Sequence, residues 1–115
     1  MKELVWVGSS RKDLQGFPQE VRALFGVALY WAQLGGKHPQ AKPLKGFKGA
    51  GVVEIVEDFA VDTWRCVYTV RYGARVYVLH AFQKKSKKGS ITPKADMDVI
   101  NARLKVVKEL VEVKS

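Results

Sequence analysis

Residues 51–82 read GVVEIVEDFAVDTWRCVYTVRYGARVYVLHAF, and this stretch decides the fold. It holds three runs rich in β-branched and aromatic residues: Gly51–Phe59, Thr63–Tyr72 and Arg75–Phe82. The breaks between them, Asp58–Asp62 and Tyr72-Gly73-Ala74, are short and turn-forming. Strands joined by such short turns pair as an antiparallel meander. Side chains alternate along a strand, so Trp64, Cys66, Tyr68 and Val70 share one face. Arg65, Val67, Thr69 and Arg71 share the other. The same rule puts His80 on the face of Val78 and Phe82.

Working outward, Glu3–Val7 is a short apolar strand candidate that ends at Gly8 and two serines. A short helix is expected over Arg11–Gln15, broken by Gly16. Pro18 opens a long helix at a position where its missing N–H does no harm. Phe17, Val21, Leu24, Phe25, Ala28, Leu29 and Ala32 recur at three- and four-residue steps and give that helix one apolar face. Gly35 and Gly36 end it. Lys37–Gly51, with two prolines and four lysines, reads as a loop. Thr92-Pro93 is a cap with proline at the first helical position. Asp96 and Asp98 then favour the helix dipole. Met97, Ile100, Leu104, Val107 and Val111 make the stripe of a last helix running to about Val113. The expected order is β, α, α, β, β, β, α: a small α+β domain over residues 1–115, with a mostly antiparallel sheet, N-terminal helices packed on it, and a C-terminal helix.

The chain has 115 residues, 47% of them hydrophobic, enough for one domain with a real core. No apolar run reaches the roughly 18 residues that span a bilayer, and the N-terminus lacks a signal-peptide layout. A cytoplasmic protein is expected. One cysteine and two histidines give no metal-ligand spacing, so neither a metal nor another cofactor is expected. Cys66 reads as a small buried hydrophobe.

The net charge is +9, and it is segregated. Between Asp62 and Asp96 there is no acid, while Arg65, Arg71, Arg75, Lys84, Lys85, Lys87, Lys88 and Lys94 fall in that gap. A second acid-free gap, from Glu20 to Glu54, holds Arg22, Lys37, Lys42, Lys45 and Lys48. Segregated positive charge favours nucleic acid as the partner. No basic amphipathic helix offers itself to a membrane. The third strand runs directly into four lysines, which holds positive charge on a rigid base suited to phosphate. A solvated lysine tail is the alternative. Arg65, in mid-strand among apolar neighbours, is costly to bury alone. It faces solvent, pairs with a carboxylate such as Glu54, or lines a site. His80 is either a satisfied core residue or the one group that exchanges protons near neutrality. Trp64, Tyr68 and Phe82 read as core. No phosphate loop, catalytic triad or carboxylate pair is apparent.

The element order, together with Pro43-Leu44-Lys45-Gly46, Trp64-Arg65-Cys66-Val67-Tyr68 and above all Leu79-His80-Ala81-Phe82-Gln83-Lys84-Lys85, resembles the RelE/HigB toxin superfamily and its phage-derived branch. The resemblance covers about residues 1–110. It implies the toxin of a type II toxin–antitoxin module, a ribosome-dependent mRNA endonuclease neutralised by a small helix-turn-helix antitoxin. Metal-free cleavage is implied, in which the 2′-hydroxyl attacks the adjacent phosphorus. By the same resemblance Arg65 serves the phosphate. Lys84 and Lys85, with Lys87 as a further candidate, bind phosphate or move protons. His80 is general base or acid. Lys45, Lys48, Lys87 and Lys88 hold RNA. Two departures stand out: Glu54 and Glu57 lie where RelE toxins carry lysines, and the last helix has no tyrosine, which leaves Glu54 as another candidate base. A gyrase-blocking toxin of the ParE kind and a non-toxic phage-derived nucleic-acid module are the alternatives.

Overall fold

The computed structural model describes residues 1–47, 49–84 and 91–114. Strand β1 (Glu3–Trp6) is followed by helices α1 (Ser10–Gln15) and α2 (Gln19–Gln33). Then come strands β2 (Ala41–Pro43), β3 (Val52–Phe59), β4 (Asp62–Thr69) and β5 (Arg75–Lys84), and helix α3 (Lys94–Lys114). The strands form one sheet in the order β1-β5-β4-β3-β2. β1 runs parallel to β5, and every other pair is antiparallel. This is the expected α+β fold with its meander.

The sheet separates two apolar layers. On one face, Val21, Phe25, Ala28 and Leu29 of α2 and Leu14 of α1 pack on Ile55, Cys66, Tyr68, Val76 and Val78. On the other, Ile100, Leu104 and Val107 of α3 pack on Val52, Val67, Tyr77, Leu79 and Phe82. The predicted stripes of both long helices are therefore their buried faces. α2 ends as its glycines require: Gly35 takes a left-handed φ of 87°, and its N–H and that of Gly36 cap Ala32 and Trp31.

Two differences from the expected layout have physical reasons. Ala41–Pro43 is an edge strand inside the predicted loop, paired with Val53–Ile55. Lysine and proline are weak strand formers, and an edge tolerates a proline that cannot donate to a ladder. Here the partner strand supplies the structure. The second difference is a β-bulge in β5. Val67 pairs with His80, but Tyr68 pairs with Val78, so Leu79 is the extra residue. Val76 and Val78 face α2, whereas Tyr77, Leu79 and Phe82 face α3. His80 therefore leaves the face of Val78 and joins that of Phe82.

The bulge is held in place. Arg103 of α3 donates through Nη1 to the Leu79 carbonyl at 2.9 Å and through Nη2 to Ser9 Oγ at 2.9 Å. Gly8 makes room for this contact: a Cβ there would stand 2.7 Å from Arg103 Nε. Its φ of 57° suits glycine as well.

Candidate functional site

Strand register brings the polar residues of three strands onto the α3 face. Lys42 pairs with Glu54, Glu54 with Val67, and Val67 with His80. One step along, Arg65 lies opposite Phe82, and Thr63 lies opposite Lys84. Arg65 and Lys84 thus point to the same side of the sheet, as convergence on one phosphate requires.

Arg65 pairs with a carboxylate, one of its three expected fates. Its Nη1 lies 3.3 Å from Glu54 Oε2 and donates to Thr92 Oγ1 at 3.0 Å. The arginine is 2% exposed and the glutamate 4%. A buried pair of this kind stands only because each charge answers the other. Lys42 Nζ stands 3.9 Å from Glu54 Oε1. Lys84 Nζ donates to the Ile91 carbonyl at 2.9 Å. Arg65 and Lys84 therefore meet the neighbouring residues Thr92 and Ile91 just before α3. Thr92, expected as a helix cap, accepts from Arg65 with its hydroxyl oxygen.

Beside this cluster is a cavity of about 530 Å³. Its walls are Pro43, Leu44, Ile91 and Met97, with Lys42, Lys45, Glu54 and Thr92 supplying the polar groups. Lys45, predicted to hold RNA, is one of these. Lys48, Lys87 and Lys88, predicted to hold RNA with it, and Lys85, predicted to bind phosphate or move protons beside Lys84, lie outside the described residues.

His80 lies under the start of α3. Its Nε2 is 2.8 Å from Asp96 Oδ1, and its ring stacks on Phe82 with centroids 4.7 Å apart. Nδ1 is buried and makes no hydrogen bond among the described residues. Burial lowers the histidine pKa from its ordinary 6.5, and the Asp96 contact offsets part of that. The neutral ring carries its proton on Nε2, facing Asp96. Phe82 and Tyr68 are core, as expected, and Trp64 packs half-buried against the α2 layer. Cys66 is fully buried, and burial pushes its thiol up to about 12, which leaves it inert near neutrality.

Sequence reasoning overlooked Lys42, Thr92, Asp96, Met97 and Arg103 as neighbours of the site. Lys42 stood in an acid-free gap, a signal of charge but not of place. Thr92 read as a helix cap, Asp96 and Met97 as helix residues, and Arg103 gave no signal, because only the docking of α3 puts them against the sheet. Among the described residues no group of His, Cys, Asp and Glu is placed to hold a metal, and no helix is long and apolar enough to cross a membrane.

Residues 12–105 match the family described as phage derived protein Gp49-like (DUF891). The chain belongs to this family. The Gp49-like family lies within the RelE/HigB-like toxin–antitoxin superfamily. The Gp49-like match spans the meander, the cavity and α3 as far as Lys105. Comparison with curated proteins and with solved structures gave no match.

Proposed function

We propose that this Gp49-like chain is the HigB-like toxin of a type II toxin–antitoxin module and that it cuts mRNA on the ribosome, in the cytoplasm. The observation that carries this reading is the meeting of Arg65 and Lys84 at residues 91–92, beside a cavity edged by Lys42 and Lys45. Positive charge fixed in advance on a sheet stabilises a phosphate gaining charge with little reorganisation.

In the reaction the 2′-oxygen attacks phosphorus and the bond to the 5′-oxygen breaks. One proton leaves the 2′-hydroxyl and one reaches the departing 5′-oxygen. Arg65 and Lys84 carry the phosphate charge, and Lys84 and Lys85 are the candidate proton donors. Lys45, Lys48, Lys87 and Lys88 hold the RNA backbone. His80 is the proton-exchanging candidate, and its contact with Asp96 also anchors the start of α3 over Arg65. A direct proton transfer by His80 requires Nδ1 to be uncovered. The partners in this reading are the ribosome, mRNA and a helix-turn-helix antitoxin.

Induced expression tests the proposal. Growth arrest with message cleaved on ribosomes is expected, and Arg65→Ala and Lys84→Ala should each relieve both. Arrest with intact message and a DNA-damage response would favour a gyrase poison instead. No arrest would favour a non-toxic nucleic-acid module. Affinity for RNA should fall steeply with salt, because phosphate contacts release counterions.

A further inference from the structure

The wall chemistry of the 530 Å³ cavity is specific. Leu44, Ile91 and Met97 offer apolar surface on which a flat ring can lie. Among the described lining residues Glu54, itself 4% exposed, is the acidic side chain, and Lys42 and Lys45 stand beside it in the lining. The volume falls within the range of small-molecule sites, roughly 300–1,000 Å³. An apolar slot with a buried carboxylate and two nearby ammonium groups calls for a ligand with three features. It needs a planar apolar body, an edge of hydrogen-bond donors and an anionic group.

We propose that this cavity reads one base of the RNA, and that the base is guanine. This rests on the RNA-cleaving reading above and adds the identity of the nucleotide beside the reacting phosphate. The Watson–Crick edge of guanine presents two parallel donors, N1–H and the N2 amino group, which a carboxylate accepts as a pair. Adenine and cytosine each present one donor beside a ring-nitrogen acceptor, and uracil sets its single N–H between two carbonyls. Those acceptors would face the Glu54 oxygens and repel them. Glu54 retains capacity for the base. A carboxylate has about four acceptor positions, of which Arg65 takes one on Oε2, while Lys42 stands loosely at 3.9 Å from Oε1. The nucleotide phosphate meets Lys42 and Lys45. Glu54 also fixes Arg65, so a correctly seated base and the charge that serves the phosphate share one carboxylate.

Titrating the full chain with GMP, AMP, CMP and UMP tests this, read on the methyl signals of Leu44 and Met97. GMP should bind about tenfold or more tighter than the other three, the discrimination expected of one bidentate pair. Glu54→Gln should bring the four affinities within about twofold of one another. Leu44→Trp, which fills the slot and leaves the Arg65–Glu54 pair in place, should abolish GMP binding and so guards against a misfolded Glu54→Gln. Equal affinity for all four, or no shift at Leu44 and Met97 with any of them, would overturn the proposal. Message cleavage without GMP preference sinks this inference and spares the nuclease reading. GMP preference in a chain that never cuts RNA does the reverse.

Discussion

The two faces of the sheet are built from different chemistry. The buried part of the face under α1 and α2 is apolar, with Ile55, Cys66, Tyr68, Val76, Val78 and Ala81 meeting Val21, Phe25 and Leu29. The face under α3 is apolar near Val52, Val67 and Leu79, yet it also holds every buried polar residue of the strands: Glu54, Thr63, Arg65, Thr69 and His80. Burying charge is costly, and replacing a buried ion pair by apolar groups is often neutral or stabilising. Stability alone thus gives no reason for Arg65 and Glu54. The α2 face is packed apolar core, and the α3 face carries a buried ion pair beside a cavity.

That contrast breaks first in the core. Phe25→Ala should destabilise the protein by about 3–5 kcal/mol, the usual loss for a large buried aromatic. Denaturant unfolding would measure it, and alkylation of Cys66 at pH 8 would report the same opening, since the folded thiol is inert. Message cleavage per folded molecule should stay near wild type. Equal losses of stability and specific activity would erase the division between the two faces.

Arg65→Ala comes next, at about 3 kcal/mol, because Glu54 then keeps a buried charge that, among the described residues, Lys42 answers from 3.9 Å. Replacing both partners, Arg65→Met with Glu54→Leu, should recover most of that stability and leave growth unarrested. A double variant that still cuts RNA would mean that the pair is merely structural.

Arg103→Leu should cost about 1–2 kcal/mol by leaving the Leu79 carbonyl without its donor. It loosens the bulge, so the His80–Asp96 contact should weaken with it. A histidine ring signal that stays unchanged in this variant would show that the bulge stands without Arg103.

The smallest effect concerns acid. His80 titrates lower in the folded chain than in the unfolded one, so the unfolded chain takes up its proton first as pH falls. Its share of stability is present above the ordinary 6.5 and is lost as pH drops through the lowered folded value. Asp96 and Asp13 favour the charged ring, while burial and Arg103 oppose it. His80→Gln should flatten the stability profile over that window. An unchanged slope would place the acid sensitivity elsewhere.

Much of this was readable from residue order. The periodicity of Val21, Phe25, Ala28 and Leu29 names the buried side of α2, because a helix shows its pattern locally. The alternation along Trp64–Thr69 places Arg65 away from Cys66 for the same reason, and the cost of a lone buried arginine made pairing with Glu54 one of three outcomes, which the packed structure selects. His80 shows where local reading ends. Strict alternation sets it with Val78, and a single unpaired residue at Leu79 turns it to the other side. Nothing in the letters Val-Leu-His marks a bulge, which depends on the pairing of β4 with β5 and on the grip of Arg103 from a helix 24 residues away.

The sequence by itself determined the element order, the two apolar stripes, the basic character and the need of a mid-strand Arg65 for a partner or for solvent, because these follow from spacing, charge and the cost of burial. The tertiary structure alone decided that β2 exists, that His80 meets Asp96, and that Lys42, Glu54, Thr92 and Met97 share one cavity. The physical reason is distance along the chain. Strand register and helix docking join residues with no local pattern in common, and only the packed sheet fixes both.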